Sequence, residues 1–204
     1  MKTTIYLASR SPRRRELLKQ LGATFQLFQL REDAHRGTDI DETPKPAESP
    51  ADYVLRIART KAELGAHYMQ RRTLSQRWPV LAADTTVVVD EQIVGKPASA
   101  EDAERMLMRL SGRRHHVITA IALAYGDRVD TAASISGVWF RALKADYIRR
   151  YVALGESLDK AGGYAIQGRA AAFVTRIDGS YSGIMGLPLA ETSELLARSG
   201  NETL

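Results

Sequence analysis

The stretch Val80–Pro97, whose apolar first part contains an acidic side chain, constrains the fold of this chain more than any other stretch. Its first part is short and rich in β-formers, which is typical of a buried strand. Asp84 interrupts the run, and a carboxylate is costly to bury without a hydrogen-bond partner, a metal ion or a water-filled cleft. Because Lys96 follows in the return segment, one hairpin is predicted to hold an anion and a cation over a shared space. A structural Asp that binds local backbone amides is the alternative.

The composition excludes several kinds of site. The chain has 204 residues and no cysteine, so disulfides, thiolate zinc sites and cysteine nucleophiles are ruled out. With 44% hydrophobic and 26% charged residues, a single globular domain over residues 1–204, with two lobes, is expected. A net charge of +5 suits phosphate ligands of any size, from a nucleotide to a nucleic acid.

The apolar segments are too short for a membrane protein. No stretch approaches the ~20 apolar residues of a membrane span. The apolar start is also too short for a signal peptide, because Arg10 and Arg13 follow at once. We therefore expect a soluble cytoplasmic protein. Aromatic residues make up only 7% of the chain and are scattered, which argues against a base-stacking platform for single-stranded nucleic acid.

The first predicted strand, Ile5–Ala8, leads into a helix with a basic N-terminus. Ser11 followed by Pro12 is a typical helix start, with a hydroxyl cap and a proline in the first turn. The arginines at 13–15 lie where the helix dipole is already positive, which is unfavourable unless an anion binds there. This strand, loop and helix have the outline of a phosphate cradle. A solvated basic turn is the alternative.

The following segment, residues 31–48, is polar and predicted to be a flexible loop. A helix is predicted to begin at Ser49–Pro50, and apolar residues at helical spacing mark its buried face. Lys61 falls on that face. A lysine in such a position is more often a snorkelling surface residue than a ligand, so Lys61 becomes a candidate only beside other site residues.

The second half of the chain predicts more helices and a long antiparallel pair. Ser99 opens a helix with a capping box, and Val117–Tyr125 pairs with Arg128–Phe140 across a Gly-Asp turn. Residues Leu158–Gly168 are rich in glycine and polar residues, as a loop beside a ligand would be. The last predicted element is a helix over Leu189–Arg198.

Familiar catalytic motifs are absent from the sequence. Neither a Walker A run, a GxGxxG nor an HExxH occurs. The stretch Gly179–Gly183 has Tyr where the nucleophile elbow of hydrolases has Ser. His115 and His116 have no carboxylate at metal-ligand spacing, which argues against a metal role for them.

Six stretches of the sequence, in this order, resemble the Maf family of nucleoside triphosphate pyrophosphatases: LASRSPRRRELL, IDETPKPAESPADYVLRIARTKA, AADTTVVVDEQIVGKP, MLMRLSGRRHHVITA, LDKAGGYAIQG and GSYSGIMGLPL. They extend from Ile5 to near Leu196. The resemblance implies an α/β fold with an elongated mixed β-sheet, flanking helices and two lobes around a nucleotide cleft, similar to inosine triphosphate pyrophosphatase. It also implies hydrolysis of nucleoside triphosphates between the α and β phosphates.

The resemblance assigns roles to residues at the matching positions. Asp84 would be the catalytic proton acceptor, and Glu42 would join it near a divalent metal, Mg²⁺ or Mn²⁺. The triphosphate would be bound by basic and hydroxyl side chains, namely Ser9, Arg13, Arg14, Lys61 and Lys96. Three positions match the subfamily that acts on dTTP and UTP, with modified pyrimidine nucleotides as further expected substrates: Arg13, Thr85 and Gln167.

One segment departs from the family pattern. Residues Leu30–Asp39 resemble an insertion before the DE motif that contains Glu42. The insertion leaves Glu32 as a competing candidate for the acidic metal position, although the run IDETP favours Glu42.

The competing function is a non-enzymatic regulator, for example of cell division, that binds nucleotides or nucleic acid through the same basic cleft. The resemblance favours an enzyme whose partner is a small nucleotide, with neither a membrane nor a nucleic acid expected. It leaves monomer and homodimer open.

Overall fold

The computed structural model describes residues 4–30, 32–33, 37–38, 40–71 and 78–200. The helices in these ranges are α1 (Pro12–Gln20), α2 (Pro50–Gln70), α3 (Ala100–Leu110), α4 (Ala145–Val152), α5 (Tyr181–Met185) and α6 (Leu189–Arg198). The strands are β1 (Thr4–Ala8), β2 (Thr24–Phe28), β3 (Glu32–Asp33), β4 (Gly37–Thr38), β5 (Val80–Val89), β6 (Gln92–Val94), β7 (Arg114–Tyr125), β8 (Arg128–Phe140) and β9 (Val174–Asp178). Among these helices, none is both long and apolar enough to cross a membrane.

Three helix starts follow the hydroxyl signals of the sequence. Ser11, Ser49 and Ser99 each accept a hydrogen bond from the backbone N–H three residues later. Each bond satisfies an N–H that has no partner within its helix. Proline stands in the first turn of α1 and α2, where a missing N–H costs nothing. These predicted starts are confirmed.

The strands form a mixed sheet, as expected for the α/β class. Its order in the described residues is β2-β1-β5-β7-β8-β9, with β6 paired to β5, and β3 and β4 form a separate ladder. The strand β1 runs parallel to β2 and β5, whereas the pairs β5–β6, β5–β7, β7–β8 and β8–β9 are antiparallel. Both faces of the sheet carry helices. The division into two lobes stays a prediction.

Strand β5 is continuous, which corrects the expectation that Asp84 interrupts it. The strand extends from Val80 to Val89, and Asp84 pairs in register with Ala120 on β7. Backbone pairing with β7 is independent of side-chain polarity, so a carboxylate is accommodated as soon as its side chain has a partner outside the sheet.

The other edge of β5 contains a gap. The strand β1 pairs with it only at Val80 and Leu81, and β6 pairs only with Val87–Val89. Within the described ranges, no strand pairs with this edge over residues 82–86. The backbone and side chains around Asp84 therefore face an opening between the end of β1 and the β6 hairpin.

Helix α2 packs closely on the sheet because both surfaces carry small residues. Its buried face meets Ala82, Ala120 and Ala122 of the two central strands. At Gly65, a β-carbon would come within 2.8 Å of Cγ1 of Val80, so the helix approaches the sheet too closely for a side chain there. This close packing brings the polar residues of the inner face of α2 within reach of β5.

The core around Phe173 joins helices α3 and α4 to the sheet. The ring of Phe173 is 1% exposed and makes edge-on contacts with Phe140, Tyr147 and Tyr151, at centroid distances of 5.6, 5.5 and 5.0 Å. Such edge-to-face pairs add to the free energy gained by burial.

Replacing Phe173 with Ala is expected to lower the free energy of unfolding by about 3–5 kcal/mol, because it removes a buried ring and leaves a cavity. Chemical denaturation followed by circular dichroism measures the loss. The control is Ile135→Ala on β8, where the side chain is 58% exposed and the expected change stays within about 0.5 kcal/mol. Equal effects of the two substitutions would contradict this assignment of the core.

Candidate active site

A cavity of about 610 Å³ lies at the gap beside β5. All nine site residues named from the sequence line it: Ser9, Arg13, Arg14, Glu42, Lys61, Asp84, Thr85, Lys96 and Gln167. They come from the loop after β1, helix α1, the segment before α2, helix α2, strand β5 and two later loops. The side chain of Glu32, the competing metal ligand, lies outside the described residues. The structure thus brings all nine candidate residues to one cavity, and their individual roles stay predictions.

Lys61 connects the two acidic candidates. Its Nζ donates to Oδ1 of Asp84 at 2.8 Å and contacts Oε1 of Glu42 at 2.6 Å. The inward position of Lys61 on α2 is therefore explained by these partners rather than by snorkelling to solvent. Because one ammonium contacts both carboxylates, the acidic groups of Glu42 and Asp84 lie on either side of Lys61 Nζ.

The two carboxyl groups differ in their affinity for protons. Burial raises the pKa of Asp84 above its ordinary value, and attraction to Lys61 and Arg14 only partly opposes that shift. Burial also acts to raise the pKa of Glu42, but the combined attraction of Lys61, Lys96 and Arg14 is larger, so the pKa of Glu42 lies below its ordinary value. Asp84 is thus the stronger base of the pair.

The backbone that carries Glu42 is tied to the first turns of α2. The hydroxyl of Tyr53 donates to the carbonyl oxygen of Glu42 at 3.1 Å. Nη2 of Arg56 donates to the carbonyl oxygen of Thr43 at 3.0 Å, and the same guanidinium forms a bidentate pair with Glu48 at 2.5 and 2.7 Å. Because α2 also carries Lys61, these bonds hold both members of the Glu42–Lys61 pair on one rigid element.

Arg14 spans the gap at the sheet edge. Its Nη1 donates to the carbonyl oxygen of Ala83 at 2.8 Å, and its Nε donates to that of Gly186 at 2.8 Å. It also approaches the hydroxyls of Thr85 at 3.2 Å and Ser9 at 3.4 Å. A guanidinium has five N–H donors. Four contacts to protein acceptors leave one donor for a ligand, so Arg14 mainly holds the cavity wall together.

Gly186 can bind Arg14 in this way because of its backbone. Its φ of 111° is a conformation that side-chain-bearing residues rarely adopt. A β-carbon there would also lie 3.4 Å from Oγ1 of Thr85 and 3.5 Å from Nε of Arg14. The glycine therefore allows the turn after α5 to approach the cavity.

The basic end of the cavity presents open donors. Oγ of Ser9 accepts a hydrogen bond from the N–H of Ser11 at 3.1 Å, in addition to the contact with Arg14, so its own proton stays available. Nε of Arg13 is buried and has no hydrogen-bond partner in the described part of the chain. Burial lowers the pKa of Arg13, and attraction to Asp159 opposes this shift. A desolvated guanidinium of this kind favours an anionic ligand.

The glycine-rich loop is fixed beside Lys96. The N–H of Gly162 donates to the carbonyl oxygen of Gly95 at 2.9 Å. Gly162 has a φ of 70°, and a β-carbon on it would meet Cγ2 of Val87 at 2.9 Å. The contact holds the loop that carries Gln167 against the hairpin that carries Lys96. Residues of this loop line the cavity, which is where a loop beside a ligand is expected to lie.

Several cavity residues were not named from the sequence. Tyr53, Asp159 and Gly186 line the cavity directly, and buried Thr119 supports its wall from β7. Their segments belong to the stretches that resemble the Maf family, but the patterns themselves predict only helix, loop and strand. Long-range contacts give these residues their roles, and no local pattern reports such contacts.

The donor set of the cavity suits a hard divalent cation. Among the described residues, no three acidic or histidine side chains are grouped to hold a metal ion. The carboxylates of Glu42 and Asp84 do lie on either side of Lys61 Nζ. Mg²⁺ is commonly bound by one or two carboxylates together with water and substrate phosphates. These two residues therefore fit a metal ion that arrives with a polyphosphate.

Comparison with known proteins assigns the chain to a family. A family profile described as Maf-like protein matches residues 4–199. The chain belongs to the Maf family. A dTTP/UTP pyrophosphatase of Aromatoleum aromaticum is 56% identical over 198 residues, covering 96% of this chain and 95% of that protein. A dTTP/UTP pyrophosphatase of Nitrosomonas europaea is 54% identical over 196 residues, covering 96% of this chain and 94% of that protein.

Two solved structures align with this Maf-family chain at 17% identity. A HAM1 protein from Coxiella burnetii has a TM-score of 0.49, over 96% of this chain and 99% of that chain. The Ham1 protein of Staphylococcus aureus has a TM-score of 0.46, over 68% of this chain and 72% of that chain. The α/β class of this chain rests on its own sheet order and flanking helices.

The buried charge of Asp84 is expected to cost stability. Because its pKa is raised by folding, the folded state binds the proton more tightly, so stability falls as pH rises through the folded pKa. Asp84→Asn removes this cost and is expected to raise the thermal midpoint at pH 8 by about 2–4 °C. Lys61 keeps Glu42 as a partner in this variant.

Thermal unfolding measured across pH tests this expectation. The advantage of Asp84→Asn should shrink as pH falls through the folded pKa, because the wild-type carboxyl then becomes neutral. Asp127→Asn, in the exposed turn between β7 and β8, is the control and should leave the midpoint unchanged. An Asp84→Asn variant that is less stable than the wild type at pH 8 would refute the assigned direction.

Proposed function

We propose that this chain is a nucleoside triphosphate pyrophosphatase that hydrolyses dTTP and UTP, and modified pyrimidine nucleotides of the same kind, to a monophosphate and pyrophosphate. The observation that supports this most directly is the placement of one desolvated carboxylate, Asp84, beside several cationic side chains in a single cavity. Relatives named dTTP/UTP pyrophosphatase that are more than 50% identical over nearly the whole chain support the same activity.

The cavity supplies the charge that a triphosphate requires. A nucleoside triphosphate carries about four negative charges near neutral pH, so binding depends on cations. Arg13, Lys61 and Lys96 line the cavity, together with the free hydroxyl proton of Ser9. Guanidinium groups match the geometry of phosphate oxygens, and ammonium groups act as compact point charges. Phosphoryl-transfer catalysis depends mainly on such positioning and charge stabilisation.

Asp84 is the proposed proton acceptor. Its raised pKa makes it a better base than an ordinary Asp, and Lys61 fixes the position of its Oδ1. Asp84 would hold a water molecule against phosphorus and take its proton as the new P–O bond forms. Pyrophosphate leaves with negative charge that the neighbouring cations stabilise.

Glu42 and Asp84 would hold Mg²⁺ or Mn²⁺ together with phosphate oxygens of the substrate. Such an ion supplies charge neutralisation and lowers the pKa of bound water. Tyr53 and Arg56 keep the segment of Glu42 in place for this task through their bonds to its backbone and to that of Thr43.

Specificity for the base is assigned to Arg13, Thr85 and Gln167. Thr85 and Gln167 would hydrogen-bond the polar edge of the pyrimidine. A site built from polar partners discriminates strongly, because a wrong base leaves those partners unpaired.

Removing the carboxylate of Asp84 is expected to lower kcat for dTTP by at least ~100-fold while nucleotide binding is retained, because the cations that bind phosphate stay in place. Pyrophosphate release with Mg²⁺ measures turnover, and isothermal titration measures binding. Asp127→Ala serves as the control, since this exposed residue lies outside the cavity. Near-normal turnover of Asp84→Ala would exclude Asp84 as the base. Steeply salt-dependent DNA binding by a wild type that hydrolyses no nucleotide would favour the regulator instead.

The acidic metal position is tested by isosteric substitutions. Glu42→Gln is expected to raise the Mg²⁺ concentration needed for half-maximal rate by at least ~10-fold, because a neutral amide binds a hard cation poorly. Glu32→Gln is the matched comparison and should change it little. A larger effect from Glu32→Gln would move the metal position to the segment before the DE motif.

A further inference from the structure

Two threonine hydroxyls form a chain beneath the cavity wall. Oγ1 of Thr119 lies 2.9 Å from Oγ1 of Thr85 and 2.8 Å from the carbonyl oxygen of Gly183. Thr119 is fully buried, whereas Thr85 lines the cavity and is half-buried. Both distances are typical of O–H···O hydrogen bonds, so each contact must contain a proton.

Counting protons fixes the direction of this chain. The carbonyl oxygen of Gly183 has no proton, so the contact at 2.8 Å requires the single hydroxyl proton of Thr119. Thr119 has the geometry of a donor in the contact at 2.9 Å as well, but its single proton is already used for Gly183, so this contact takes the proton of Thr85. The reverse orientation would leave two bare acceptors facing each other in a buried site, which is unfavourable.

Arg14 makes a further hydrogen bond with Oγ1 of Thr85. Its Nη2 lies 3.2 Å from Oγ1 of Thr85, and a guanidinium can only donate. The hydroxyl of Thr85 therefore gives its proton to Thr119 and accepts one from Arg14. One lone pair remains, so Thr85 presents only an acceptor to the cavity.

The hydroxyl of Ser9 has the opposite hydrogen-bonding role and presents a donor to the cavity. Its Oγ accepts from the N–H of Ser11 and is approached by Arg14, so its proton is left for the cavity. The oxygens of a polyphosphate are acceptors near neutral pH and match Ser9. They do not match Thr85, whose hydroxyl requires a donor group on the ligand.

We propose that Thr119 is a specificity-determining positioning residue, which fixes the hydroxyl of Thr85 as an acceptor and so selects bases with a ring N–H between two carbonyls. This inference rests on the proposed function, since it takes the ligand to be a pyrimidine nucleotide. Uracil and thymine carry that N–H at ring position 3. Cytosine carries a bare acceptor nitrogen there, which would face the lone pair of Thr85.

The first experiment compares kcat/KM for UTP and CTP in the wild type and in Thr119→Val. The valine removes the acceptor for the proton of Thr85, which becomes free to donate to cytosine. The UTP-to-CTP ratio is expected to fall by at least ~10-fold, chiefly through faster turnover of CTP. The fold should persist, because the carbonyl oxygen of Gly183 still accepts from the N–H of Gly186 at 2.9 Å.

Two variants separate this role from a structural one. Thr119→Ser keeps the hydroxyl chain and is expected to retain the wild-type ratio. Thr192→Val removes another fully buried hydroxyl, which donates to the carbonyl oxygen of Pro188 at 2.7 Å outside the cavity lining. It is expected to leave the ratio unchanged. An unaltered ratio in Thr119→Val, or the same loss in Thr192→Val, would overturn the inference.

The second experiment needs no variant and therefore no assumption about folding. UTP methylated at ring nitrogen 3 has lost the proposed donor, and the wild type is expected to process it at least ~10-fold less efficiently than UTP. Equal efficiency would overturn the inference while leaving the proposed function intact. A wild type that releases pyrophosphate from no nucleotide would overturn both.

Discussion

The contact of Lys61 with Asp84 is the interaction on which the rest of the site depends. A carboxylate in the middle of a buried strand is tolerated because an ammonium from α2 reaches it at 2.8 Å. That reach requires α2 to lie close to the sheet, and the alanines of β5 and β7 and the glycine at position 65 permit it. The charge of Lys61 does not fully cancel the cost of burying the Asp84 carboxylate, so the pKa of Asp84 stays above its ordinary value. The same packing that accommodates the carboxylate thus raises its pKa.

The opening in the sheet explains why the polar side chains around Asp84 face a cavity. Five residues of β5 have no strand partner on one edge in the described part of the chain, and Arg14 satisfies the carbonyl oxygen of Ala83 there. A guanidinium with several fixed donors can replace a strand at one position and still leave space beside it. The cavity wall is therefore held by side chains rather than by a continuous ladder. A ligand can approach the backbone of β5 from that side.

The sequence predicted local structure well and long-range partners poorly. The helix starts at Ser11, Ser49 and Ser99 depend on contacts three residues away, so local patterns were enough to find them. The continuity of β5 was not predicted, because the partner of Asp84 is 23 residues away on a helix. The motif resemblance named nine residues that line the cavity, among them Arg14 as a predicted phosphate ligand. The resemblance did not indicate the four contacts of Arg14 with protein atoms, one of them with a residue 172 positions away. No local sequence pattern marks Thr119 as a residue of the cavity wall, since a buried threonine in a strand is common.

The contact of Arg14 with Gly186 has a consequence for the order in which the protein is made. Strand β5, helix α1 and the acidic pair are all synthesised before the turn that contains Gly183 and Gly186. Until that turn emerges from the ribosome, Arg14 lacks one of its acceptors and the hydroxyl chain from Thr85 has no carbonyl at its end. A nascent chain therefore contains Asp84, Lys61 and Lys96 before it contains the turn that supports the cavity wall. The hydrogen bonds that orient Thr85 and Thr119 are therefore among the last contacts of the cavity wall that can form during translation.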